Sequence, residues 1–230
     1  GAETIIAVCG SGGNGGDGYA ATRILSDRGL PAVAIGAIPG KPSRADTLAM
    51  RDAARARGLL VADAPTSGDA DAAQVWLTDV LARYDSPILI DAILGAGLTR
   101  DLDGWALGLV RSINASAMPV LACDTPSGPD ADAGRARPEA VRAAMTVTMA
   151  SLKPGFETLE AQQHLGDVVV APIGVPAEAL RRFGAPARLS PDAPWQRIGH
   201  RDPALPDPPL GRGRDDTTRD SARDSARDTD

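Results

Sequence analysis

From Thr4 to Cys123 the chain repeats one unit: a short, almost unbroken apolar run, then a stretch with helical spacing, then another apolar run. Few folds tolerate that alternation. Thr4–Cys9 (TIIAVC), Pro31–Ile38 (PAVAIGAI), Leu59–Val61, Pro87–Asp91 and Pro119–Cys123 read as strands with no polar face. Between them, helical spacing covers about Gly18–Arg28, Asp46–Arg57, Asp69–Tyr84 and Gly104–Ala115. Ala143–Ala150 and Asp167–Ala171 read as late strands, and Pro176–Phe183 as a short helix. Strands that are apolar on both faces must be covered on both faces, which calls for a parallel sheet with helices above and below. The pattern predicts an open α/β sandwich.

Composition narrows the class of protein. A net charge of −6 over 230 residues lacks the basic excess of a nucleic-acid-binding domain. No apolar run approaches the length of a membrane span. Two cysteines, Cys9 and Cys123, exclude a disulfide scaffold and a four-cysteine zinc site, and they read as small buried residues. His164 and His200 stand alone, so no transition-metal cluster is expected. The expected setting is the cytoplasm. After about Leu189 the chain turns Pro- and Asp-rich and ends in the near-repeat RDSARDSARDTD, which has no apolar face to bury. Residues 1–189 are therefore expected to form the domain, and 190–230 a low-complexity tail without structure.

The densest chemical signal is Gly10-Ser11-Gly12-Gly13-Asn14-Gly15-Gly16-Asp17-Gly18, set between the first strand and its helix. Glycine there lets a ligand approach the backbone, and the free amides of a helix N-terminus favour an anion such as a pyrophosphate. Gly10, Gly12 and Gly15 satisfy GxGxxG, but the acid that a dinucleotide-dependent dehydrogenase carries after its second strand is missing, because that strand runs into Ile38-Pro39-Gly40. Two later strands end alike: Asp91 runs into Ala92–Asp101 (AILGAGLTRD), and Asp124 into Thr125-Pro126-Ser127-Gly128. Ligands of open parallel sheets bind beyond the carboxyl ends of the strands, where Asp17, Asp91 and Asp124 would meet. One such Asp reads as a helix cap. Three beside glycine turns read as a site.

Oxygens of Asn14, Asp91 and Ser127 would suit a hard cation. Only Lys41 and Lys153 are lysines among 24 basic residues. Lys153, at a strand exit before Pro154-Gly155, reads either as a surface lysine or as an anion contact or proton-transfer partner for Asp124.

Taken together these segments resemble the YjeF N-terminal domain family, the NAD(P)H-hydrate epimerases. The matching pieces are Val8–Gly18, Asp91–Arg100, Ile113–Asn114, Val120–Gly128, Asp132–Gly134, Thr146–Thr148 with Lys153 and Gly155, and Gly174–Pro176. The resemblance implies a three-layer αβα Rossmann-like sandwich with a mostly parallel central sheet. It implies a reaction too: interconversion of the R and S forms of hydrated NADH and NADPH, in which the dinucleotide is substrate and no hydride moves. By matching position, Gly13, Asn14, Gly15, Gly16, Asp17, Gly95, Ala96, Gly97, Leu98, Thr99, Arg100, Asp101 and Asp124 would bind that substrate. Asn14, Asp91 and Ser127 match ligands of a potassium ion. Proton transfer at the hydrated carbon falls to Asp124, assisted by Lys153.

The sequence departs from the family pattern at Gly13, where Asn is usual. The family's helical segment before the first strand, which helps form a homodimer, has no counterpart before Thr4. The charged tail stands where many bacterial relatives carry a second domain, an ADP-dependent dehydratase. Two other readings stay open: a non-catalytic nucleotide- or protein-binding module on the same fold, such as a truncated piece of a bifunctional epimerase/dehydratase, and an ordinary NAD-dependent dehydrogenase. The second lacks both the ribose acid and any Tyr-x-x-x-Lys pair.

Overall fold

The computed structural model describes residues 3–184, other than 41, 43, 99, 136 and 138, together with the backbone of 199–200. In chain order the elements are β1 (Ile5–Cys9), α1 (Gly13–Asp27), β2 (Ala32–Gly36), α2 (Ala45–Ala56), β3 (Leu60–Asp63), α3 (Ala70–Leu81) and β4 (Ile88–Ala92). Then come α4 (Gly104–Ala115), β5 (Val120–Cys123), β6 (Met145–Met149), a 3₁₀ turn (Pro154–Glu157), α5 (Leu159–Leu165), β7 (Asp167–Ala171), α6 (Ala177–Phe183) and β8 (Gly199–His200).

The strands lie in the order β3-β2-β1-β4-β5-β6-β7-β8, and every neighbouring pair is parallel. The chain builds outward from β1 to β3, then returns to lay β4 on the other side of β1. Loops leaving β1 and β4 therefore diverge at one point on the carboxyl edge, which is where open α/β sheets hold ligands.

Alternation along β1 sorts the two faces. Ile6 and Val8 pack with Leu77 and Val80 of α3 and Leu109 and Ile113 of α4. Ala7 and Cys9 face the other way, with Tyr19 of α1 and Ala54 of α2. The α1 face is floored by small residues, including Ala34, Ala92 and Cys123. Cys9 and Cys123 are both buried free thiols on strands that β4 separates, and burial raises both thiols well above the ordinary range.

Two elements differ from the sequence pattern. Helix α1 begins at Gly13, about five residues earlier than its apolar periodicity suggests. Glycine is a poor helix former, and tertiary packing overrides that preference here. Helix α5 was not apparent, although Thr158 caps it by accepting from the Ala161 amide and Gly166 ends it at φ 58°. Apart from the backbone of Gly199–His200, which pairs with Val169 and Val170 of β7, the expected tail over 190–230 lies outside the described residues.

Candidate active site

The glycines from the end of β1 into the first turns of α1 divide into two sets. A Cβ on Gly15 would stand 1.9 Å from the Gly10 carbonyl oxygen, and one on Gly10 would stand 1.9 Å from that of Ile93. A Cβ on Gly18 would meet the Cβ of Ala92 at 2.6 Å. These glycines let α1 press onto β1 and β4. Gly12 and Gly13 face open space instead. No side chain caps α1, so the amides of Gly13 and Asn14 in its first turn, which line the cleft, remain available to an anion. The Gly16 amide is committed to the Gly12 carbonyl at 3.2 Å.

Below the loops lies Asp91, with no exposed surface. Its Oδ2 accepts from the Ser127 amide at 2.7 Å, and its Oδ1 accepts from the Ser127 hydroxyl at 2.7 Å and the Ile93 amide at 3.2 Å. Ser127 Oγ also accepts from the Leu94 amide at 2.9 Å, and the Leu94 carbonyl accepts from Asn14 Nδ2 at 2.9 Å. The Leu94 backbone thus joins the three residues that the sequence singled out for a cation. Burial pushes the Asp91 carboxyl up to about 6, against the pull of its hydrogen bonds from Ser127 and Ile93. Asn14 Oδ1 is buried with no hydrogen-bond partner. An unmatched amide oxygen beside hydroxyl, carboxylate and carbonyl oxygens is a donor set that fits a hard cation such as potassium.

Asp124 follows β5 with φ 66°, in the left-handed region that costs a non-glycine residue on the order of 1 kcal/mol. That bend carries its side chain toward the end of β6. Oδ1 there accepts from the Met149 amide at 3.2 Å and the Thr148 hydroxyl at 3.4 Å, and pairs with Lys153 Nζ at 2.8 Å. Both side chains of the pair are mostly buried, 17% exposed for Lys153 and 16% for Asp124. Among the described residues Oδ2 of Asp124 has no hydrogen-bond partner, and Asp124 lines the cleft.

That cleft is open and holds about 590 Å³. Of the residues expected to bind substrate, Gly13, Asn14, Asp17, Gly95, Ala96, Gly97, Leu98, Arg100, Asp101 and Asp124 line it. Gly15 and Gly16 are buried in the packing of α1 and do not line it, and Thr99 lies outside the described residues. Asp91 and Ser127 sit beneath the cleft, and Lys153 reaches it through Asp124. Partial burial, with the carboxylates of Asp124 and Asp46 nearby, raises the Asp17 carboxyl.

Sequence reasoning missed Arg44 and the apolar patch of Leu94, Leu102 and Ala106 on the cleft wall. Arg44 arrives because Thr47 Oγ1 donates to the Gly12 carbonyl at 3.1 Å, which draws the start of α2 to the start of α1. A basic residue just before a predicted helix was the available signal.

The model of the YjeF-related protein N-terminus matches residues 1–155. The chain belongs to this family. Within the YjeF-related family, the bifunctional NAD(P)H-hydrate repair enzyme Nnr of Pyrobaculum aerophilum is 37% identical over 180 residues, 77% of this chain and 34% of that protein. The chain thus spans about a third of the length of that relative. The NAD(P)H-hydrate epimerase of Rhodopirellula baltica is 33% identical over 78% of this chain and 69% of its own length. The NAD(P)H-hydrate epimerase of Levilactobacillus brevis is 33% identical over 76% and 75%. The crystal structure of the yeast protein YNL200c shares the fold, with a TM-score of 0.60 at 20% identity over 83% of this chain and 76% of that one. Among the described residues no helix is long and apolar enough to cross a membrane.

Proposed function

We propose that this YjeF-related chain is an NAD(P)H-hydrate epimerase, an isomerase that acts in the cytoplasm on hydrated NADH and NADPH. Relatives that match most of their own length to this chain carry that name. The observation that carries the reading within this molecule is the Asp124–Lys153 pair, 2.8 Å apart at the edge of a cleft that a helix N-terminus also faces. Inverting a carbon that bears the added hydroxyl requires one bond at that carbon to break and to re-form on the opposite face. A proton is given at one stage and recovered at the other.

Asp124 is the group suited to that exchange. Lys153, Met149 and Thr148 hold one of its oxygens, so the other stays directed for proton transfer. The ring would sit against the wall of Leu94, Leu102 and Ala106. The phosphates would meet the amides of Gly13 and Asn14. Potassium would be held by Asn14, Asp91 and Ser127, where its charge would offset the buried Asp91 carboxylate and draw three loops together.

The test is incubation of the purified chain with the R form of hydrated NADH in potassium chloride, followed by chromatography that resolves the two forms. Acceleration well above the spontaneous rate supports the reading. A folded protein that leaves the spontaneous rate unchanged overturns it.

A further inference from the structure

Asp101 has a partner that the cleft does not supply. Its Oδ1 pairs with Arg137 Nη1 at 2.8 Å, across 36 residues of sequence. Arg137 Nη2 meets Asp130 Oδ2 at 3.4 Å. The Arg137 side chain is only 14% exposed, while that of Asp101 is 71% exposed, and Arg137 Nε is buried with no acceptor. Surface ion pairs contribute little to stability, and removing a guanidinium from water works against it. What such a pair supplies is the relative position of the segments it joins.

The segment on the far side leads to Lys153. Asp130 Oδ1 accepts from the Asp132 amide at 3.0 Å and the Ala133 amide at 2.8 Å, which closes a tight turn. Those two amides hold the Asp130 carboxyl below the ordinary range, so it stays charged for Arg137. The Ala131 carbonyl accepts from the Gly155 amide at 2.8 Å, and the Gly134 carbonyl from the Thr158 hydroxyl at 2.6 Å. A Cβ on Gly134 would stand 2.3 Å from the Gly155 carbonyl oxygen, so turn and 3₁₀ segment are in direct contact. Gly155 lies two residues after Lys153.

We propose that Arg137 is a positioning residue, which fixes the Gly95–Asp103 wall of the cleft against the turn that carries Lys153. Asp101 then acts through Arg137, as the anchor of its loop. The kinetic part of this inference rests on the epimerase reading. The positional part does not.

The test compares Arg137→Gln, Arg137→Lys, Asp101→Asn and the Arg137→Gln/Asp101→Asn double variant. Arg137→Gln raises KM for the hydrated dinucleotide roughly fivefold and leaves kcat within about twofold. The double variant is no worse than the weaker single variant, because both break one link. Arg137→Lys recovers part of the loss, since an ammonium reaches one carboxylate but cannot fork to two. Native-state trypsin cleavage after Arg100 is faster in Arg137→Gln than in the parent, with Tm unchanged. Unchanged KM and unchanged cleavage overturn the inference. So do additive single effects, or a fall in kcat that follows a fall in Tm. If the parent itself has no epimerase activity, the functional reading fails and the cleavage comparison alone decides the role of Arg137.

Discussion

Lys153 Nζ lies 2.8 Å from Asp124 Oδ1 and donates to the Met149 carbonyl at 3.0 Å. One lysine thus binds the end of β6 to the residue that leaves β5 with a left-handed backbone. The ammonium reinforces a bend that the Met149 and Thr148 donors also hold. Charge and backbone geometry at this site depend on the same contact.

Asp124→Asn separates them. Asparagine tolerates the positive φ as aspartate does, so the fold persists and Tm changes little. Without the carboxylate, kcat/KM for epimerisation falls by about 10²- to 10⁴-fold, measured by resolving the two forms over time. Lys153→Met loses activity as well, with a smaller loss in Lys153→Arg.

Removal of potassium reads out the Asp91 hub. In potassium chloride the protein melts at a higher temperature than in tetramethylammonium chloride of equal ionic strength. Asn14→Ala abolishes that difference while the protein still folds. Ser127→Ala removes the donor to Asp91 and the acceptor for the Leu94 amide, and costs about 1–3 kcal/mol by chemical denaturation in either salt.

Asp17→Asn trades activity for stability. The Asp17 carboxyl is raised above its ordinary value, so its ionised form costs the folded state free energy that the unfolded chain does not incur. The cost is absent at the acid end, where the carboxyl is protonated in both states, and appears as the pH rises above the ordinary carboxylate range. Asp17→Asn therefore increases Tm at pH 7.5, has no effect on Tm at the acid end, and lowers kcat/KM. An equal increase at both pH values contradicts this account.

Gly13 and Gly15 respond in opposite ways. Gly13→Asn introduces the residue usual in the family at a helix position with open space around it, so the variant folds with unchanged Tm and a KM no higher than the parent. Gly15→Ala drives a methyl against the Gly10 carbonyl and displaces α1 from the sheet. Its expression as soluble protein falls, and circular dichroism shows lost cooperativity on melting.

The central strands and the two strand-end loops were legible because a parallel sheet buried on both faces needs near-continuous apolar runs. Asn14, Asp91, Ser127, Asp124 and Lys153 stood out through spacing and rarity, and the fold joins them in two clusters at the carboxyl edge. The start of α1 was misplaced, because six glycines from Gly10 to Gly18 look like a turn when local preference is the only guide. Helix α5 went unread because its start signal, the Thr158 cap directly after the Pro154–Glu157 turn, was not recognised.

By itself the sequence determined the layers, the side of the sheet that carries chemistry, and the residues whose side chains can perform it. These follow from local periodicity and from residue types, which nearby positions reveal. Only the tertiary structure decided that some glycines serve packing while Gly12 and Gly13 serve the cleft. It also set Asp91 beneath the site rather than in it, and paired Asp101 with Arg137 across 36 residues. Each of those outcomes depends on which distant backbone lies within a few ångströms, and on how much water that approach excludes.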